Sequence, residues 1–224
     1  MLLLLLLGLV LLLAIAGGYA WWLSQQRPEW WHEVPLDEPT QVQAEQVENT
    51  VVSELSRARP AEAPGPYRSR EWQLEVSEEE ANAWLATRLK GWVANRDGHW
   101  PQAIDGVQVA LEPGQVRVGI HLVQGGFDRV VTVTGLPEIR DGGVWLNISG
   151  MALGGLPLPR EFLLDQFGSM VRGDSTDDIL AALEGQRPAL DRPVIELDNG
   201  RLVRITGVRV DAGRLVLTCR TEKD

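Results

Sequence analysis

Seven residues carry the one pattern in this sequence that points to a bound molecule. Trp84, Arg88, Leu89 and Trp92 recur at helical spacing, and Leu156, Leu158 and Phe162 surround the corner Gly154-Gly155-Leu156-Pro157-Leu158-Pro159. On a helical wheel Arg88 falls inside the stripe Ala81, Trp84, Leu85 and Trp92. A guanidinium placed there must be paired or must stretch its head to water. One chemistry this allows is capture of an anion, such as a lipid phosphate, at the mouth of an apolar groove lined by Trp84, Trp92 and Trp100. The other is structural: the Arg88 stem packs on Trp84 while its head meets water or a carboxylate, and the tryptophans fill a core. Leu156 and Leu158, two apart in an extended segment, point the same way, into a core or a groove.

Other chemistry is thinly represented. Asp174, Ser175, Asp177 and Asp178 resemble a loose calcium cluster but lack the glycine and distal glutamate of an EF-hand loop. A helix N-terminus enriched in acids explains them. His32, His99, His121 and the single Cys219 have no zinc-type spacing, so no cofactor or metal is expected. Asn147-Ile148-Ser149 matches a glycosylation sequon but sits inside a strand pattern. The sequence holds no G-x-S-x-G elbow, no P-loop and no G-x-G-x-x-G. A cleft bringing Asp or Glu to His99 or His121 is the arrangement that would favour an enzyme. Sequence brings no such groups together, so the expected activity is non-catalytic.

The elements that must position these residues follow from periodicity. Thr40 with Gln43 reads as a capping box for a helix over 40–58 with the stripe Ala44, Val47, Val51, Leu55 and Ala58. A Pro-rich linker over 60–66 follows. Trp72, Leu74 and Val76 alternate as a strand, and Ser77 with Glu80 caps a helix running to about Val93. Strands are then predicted over 107–111, 116–122, 129–134 and 144–153, with turns at Glu112-Pro113-Gly114 and Asp141-Gly142-Gly143. Gly154 and Gly155 would let the last strand bend away from the sheet, and Pro159 suits the first position of a helix over 162–171. A helix over 176–184 and strands over 194–197, 202–210 and 215–220 close the chain, with hairpin signals at Asn199-Gly200 and Asp211-Ala212-Gly213. Cys219, in an alternating strand, reads as a core residue.

Short turns between strands make the sheet antiparallel, and the grouping of helices makes the class α+β. The expectation is a curved antiparallel sheet packed on or wrapped around amphipathic helices, preceded by one N-terminal transmembrane helix. The chain divides into an anchor at 1–24, a juxtamembrane segment at 25–66 and an α+β domain at 67–224.

The address comes from the first residues. Leu2 to Leu23 is almost wholly apolar and uncharged, and as a helix it would span roughly 33 Å, enough for a bilayer core. Trp21, Trp22, Trp30 and Trp31 fall where an interfacial aromatic belt belongs. Ala14-Ile15-Ala16 has the form of a signal-peptidase site. The absence of Lys or Arg before the run, and its continuation to Leu23, favour a retained anchor. The remaining chain is acidic, with a net charge of -10 and no basic run, which excludes nucleic acid as a partner. It is expected outside the cytoplasm, tethered to the cell membrane through residues 2–23.

The Ser77-Glu78-Glu79-Glu80-Ala81-Asn82-Ala83-Trp84-Leu85 helix start, Leu136-Pro137, Asp141-Gly142-Gly143 and Gly155-Leu156-Pro157-Leu158-Pro159 together resemble the YpmS-like family of membrane-anchored bacterial proteins of unknown function. The layout is also similar to tubular lipid-binding folds, in which a curved antiparallel sheet wraps a long helix. The resemblance spans about residues 70–220, implies an anchored, extracytoplasmic domain with an apolar ligand, and supplies no catalytic residues. The 40–58 helix has no counterpart in it. Two functions therefore stand: a binding module for a lipid or acyl chain, and a scaffold subunit of a membrane or envelope complex that meets a protein partner through the 40–58 helix.

Overall fold

The structure, a computed structural model, describes residues 2–62, 66–95, 99–159, 181–182, 185–197 and 199–223. The predicted helix 162–171, the acidic cluster at 174–178, Phe162 and all of the predicted helix 176–184 except residues 181 and 182 lie outside them.

Helix α1 (Leu2–Gln25) comes first, then α2 (Glu38–Ser56), β1 (Trp72–Ser77), α3 (Glu78–Thr87) and α4 (Leu89–Ala94). Strands β2 (Ile104–Glu112), β3 (Gln115–Gln124), β4 (Phe127–Arg140), β5 (Gly143–Leu153) and β6 (Leu156–Leu158) follow, then β7 (Val194–Glu196), β8 (Arg201–Asp211) and β9 (Arg214–Lys223). Mixed helices and antiparallel sheets match the expected class. The strands, however, form two sheets rather than one, in the orders β1-β9-β8-β7 and β2-β3-β4-β5-β6. β4 meets β8, and β2 meets β8 and β9. Gly114 N–H donates to the Val210 carbonyl at 2.9 Å and Gly213 N–H to that of Leu111 at 2.8 Å, so each sheet's hairpin turn is tied to the other sheet. Leu74, Val203, Val216 and Cys219 are buried in one sheet, and Leu122, Val131 and Met151 in the other. Burial pushes the Cys219 thiol up to about 11, so it stays protonated and inert.

Two helix boundaries differ from the sequence reading, and a third matches it. The N-cap of α2 is Asp37, whose carboxylate accepts from Thr40 N–H at 3.1 Å and Thr40 Oγ1 at 2.7 Å. Pro39 lies in the first turn, where a missing N–H costs nothing, so the helix begins before Thr40. Ser77 and Glu80 form the predicted capping box of α3. The helix expected to reach Val93 is divided at Arg88, which has φ -113°, although Arg88 N–H still reaches the Trp84 carbonyl at 2.8 Å and Trp92 N–H that of Arg88 at 2.9 Å.

Helix α2 packs along α3, with Ala44 fully buried. Its stripe thus has a partner within the chain. Arg201 donates to the carbonyls of Ser56 at 2.7 Å and Arg57 at 3.3 Å, satisfying acceptors left open at the end of α2. Helix α3 lies along β2, the edge of the five-stranded sheet. Asn82 both accepts from Val109 N–H and donates to its carbonyl, each at 2.8 Å, and Glu78 accepts from Leu111 N–H at 2.7 Å. These side chains occupy backbone groups that would otherwise present an open strand edge.

Two segments read as connections are strand. Pro137 pairs with Leu146 inside β4. β3 stops pairing at Gly135, so the missing N–H of Pro137 faces no neighbouring strand. The Gly154-Gly155 corner does not lead the chain away from the sheet. It is a two-residue hairpin turn, with Leu153 opposite Leu156 and Met151 opposite Leu158.

Candidate functional site

The site is built by residues 26–37, a strap between α1 and α2 that lies on the β2–β3 hairpin. The sequence pattern puts Gly106, Gln108 and Ala110 on one face of β2, and Arg117, Gly119 and His121 on the matching face of β3. The register sets Gly106 opposite His121 and Gln108 opposite Gly119. Two glycines in that quartet leave a trough, and the indoles of Trp30 and Trp31 fill it. A Cβ on Gly119 would lie 2.6 Å from Trp30 Cη2 and 2.7 Å from Trp31 Cζ3. The rings meet edge to face at 5.9 Å, and Trp31 is only 9% exposed. Trp30 and Trp31 therefore pack on the sheet and not in the predicted interfacial belt, whereas Trp21 and Trp22 on α1 remain exposed. Gln108 fixes the strap's path: it accepts from His32 N–H at 3.3 Å and donates to the His32 carbonyl.

Beneath Trp31 lies His121, 8% exposed, with its ring 6.0 Å from the indole. Its Nδ1 is 3.0 Å from Asp105 Oδ2 and its Nε2 is 2.7 Å from Asp128 Oδ1. A neutral imidazole has one N–H and can satisfy one of these acceptors. Asp105 and Asp128 are 66% and 60% exposed, so both carboxylates are well solvated when ionised. An imidazolium, with an N–H at each nitrogen, would satisfy both acceptors. The hydrogen bond to His121 holds the Asp128 carboxyl below its ordinary range.

The gathering of carboxylates around His121 is the feature that would favour an enzyme. A general base needs a ring nitrogen within reach of a substrate proton, and both nitrogens of His121 face carboxylate oxygens. No cluster of three His, Cys, Asp or Glu suited to a metal occurs among the described residues.

A groove of about 800 Å³ opens beside this group. The strap contributes Arg27, Trp31, Glu33, Val34 and Leu36 to one side. Leu85, Ala86 and Lys90 of α3 and α4 form the other, and Trp100 and the first half of β2 form the base. Arg27 is paired with Glu33 at 2.7 Å, and Trp100 Nε1–H donates to the Ile104 carbonyl at 2.9 Å. No family model matches this chain, and no curated protein matches it.

The predicted site residues are dispersed around this groove. Trp84 and Trp92 meet edge to face at 6.2 Å. Arg88 reaches Glu45 of α2 at 3.7 Å, both side chains partly in water, which fits the structural reading of Arg88. Leu89 is half-buried in α4. None of these four lines the groove. Their helical neighbours Leu85, Ala86 and Lys90 do, from another face of the same two helices, and so does Trp100. Leu156 and Leu158 lie on β6, at the opposite edge of the sheet from β2, and Phe162 is outside the described residues. Asp105, Gln108 and Gly119 were missed. The available signal was a glycine two residues before a histidine on the face of β3 that alternation marks as polar, with a pair of tryptophans upstream that the sequence reading assigned to the membrane interface.

Proposed function

We propose that this chain is a membrane-anchored, extracytoplasmic, non-catalytic domain that binds a lipid or similar amphiphile in the groove between strap, α3–α4 and β2. The groove carries the reading. Its volume lies in the range of small-molecule sites, which combine apolar walls with a few placed polar groups. Val34, Leu36, Leu85 and Ile104 supply apolar surface, and Lys90 and Asp105 supply charge. Helix α1 is long and apolar enough to cross a bilayer, and the strap follows it directly, so the groove would open near the membrane surface. The resemblance to YpmS-like proteins and tubular lipid binders supports the same reading, with the five-stranded sheet curving around the helices.

Native mass spectrometry of the full chain released from detergent micelles tests this. The expected result is an adduct of lipid mass that is lost when Leu85→Arg fills the groove with charge. A chain that carries no lipid, and binds none from added phospholipid, overturns it. A second reading, a scaffold subunit, is favoured by Val42 and Val52, which remain 45% and 57% exposed on α2. Crosslinking from those positions to one specific membrane protein is its expected outcome.

A further inference from the structure

We propose that Asp105, His121 and Asp128 form a proton-operated latch that holds the strap closed on the sheet and opens one wall of the groove when His121 loses its proton. The use of the latch rests on the groove reading above, but its existence does not.

The argument is proton counting under a lid. Two carboxylates from the strands on either side of β3, Asp105 of β2 and Asp128 of β4, converge on opposite nitrogens of one ring. The ring is covered by Trp31, which is also seated in the glycine trough at Gly106 and Gly119. As imidazolium, His121 donates at both ends and presents a cation beneath an indole, an attractive pairing. When one N–H proton leaves to solvent, its electron pair stays on nitrogen. That pair then faces a carboxylate oxygen within 3.0 Å, and two acceptors cannot share that distance. One carboxylate must swing out, and the three groups together gain a negative charge under the Trp31 ring.

The other charges facing the ring modulate this. Arg27 of the strap and Arg129 of β4 share a small recess with Asp128, and Arg27 lowers that carboxyl further. Glu33 of the strap and Lys90 of α4 stand on the groove walls with His121 and Asp105. Arg27 is bound to Glu33 in the closed strap and, like Arg129, lies beside Asp128. Deprotonation therefore weakens the Trp31 seat and offers Arg27 a second partner, and both changes loosen the same segment. Histidine makes its charge change between about pH 5 and about pH 8, so the latch would answer to the acidity of the compartment that the domain faces.

The test uses the full chain in detergent micelles without added lipid. Amide hydrogen-exchange protection of Trp30, Trp31 and His32, corrected for intrinsic exchange, is compared at about pH 5 and about pH 9. The wild type is expected to lose protection about ten-fold at the higher pH, while the ring nitrogens of His121 change from two protonated signals to one. Asp128→Asn places a side-chain amide at Nε2 that can donate to a neutral ring, so its strap should stay protected at both pH values. Wild-type protection that is independent of pH, or a strap in Asp128→Asn that still opens on raising pH, overturns the latch. Failure to find a bound lipid would count against the groove reading and leave this measurement unaffected.

Discussion

β1 is joined to β9 by a ladder running from Trp72 opposite Cys219 to Ser77 opposite Arg214. The strap is joined to the β2–β3 hairpin by two indoles seated on Gly119 and by the amide of Gln108. The first region is held by backbone groups that repeat along the strand, so each residue contributes a similar share and the pattern is visible in alternation. The second is held by a few side-chain fits with no period. The four-stranded sheet should accordingly respond to loss of apolar volume, and the strap to gain of volume in its trough.

The largest effect is expected in the ladder. Leu74 is 7% exposed, and Leu74→Ala should cost about 2–5 kcal/mol by cavity formation, read as a lower urea midpoint with secondary structure and fluorescence lost together. Next is Gly119→Val, which forces the strap off the trough at a cost of about 1–3 kcal/mol. Its signature should differ: tryptophan emission shifts red at low urea while far-ultraviolet circular dichroism stays native. If both signals move together, the strap is part of one cooperative unit and the contrast between the regions fails. Ser77→Ala removes the hydroxyl that caps α3 and should cost about 1 kcal/mol, as an ordinary two-state shift in melting temperature.

The smallest effect sharpens the electrostatic side. Because His121 donates to it, the Asp128 carboxyl titrates below its unfolded value. Its contribution is therefore present above about pH 4 and disappears as pH falls through the lower folded value. Wild type should melt above Asp128→Asn at about pH 5, and the gap should close in stronger acid. A gap that widens in acid would contradict the sign of this coupling.

The difference between the regions also explains what the sequence disclosed. Alternation at Val107, Val109 and Leu111 and the turn at Asp141-Gly142 placed β2, β3 and β5 within a few residues, because period and turn chemistry are local. The capping box at Ser77 was legible for the same reason. Division into two sheets was not, since it depends on β1 pairing with β9 across most of the chain. The site was the least legible part. Alternation assigned Gly119 and His121 to a polar face, and only the strap, more than eighty residues upstream of them in sequence, turns that face into an interior. Arg88 attracted notice because it broke a local rule, yet Glu45 of α2 meets it. The 40–58 helix was offered to a protein partner for the converse reason: the element it packs on, α3, lies beyond a Pro-rich linker.

The Gly154-Gly155 turn has a mechanical consequence. Gly155 N–H donates to the Leu23 carbonyl at 2.9 Å, and Gly154, at φ 57°, lies so close to Ser24 and Gln26 that a Cβ would come within 2.6 Å of the Gln26 carbonyl oxygen. The end of α1 is thus seated in the sheet. The apolar helix is a stem and not a leash: tilt or rotation of that helix turns the five-stranded sheet with it, and carries the groove through the same angle.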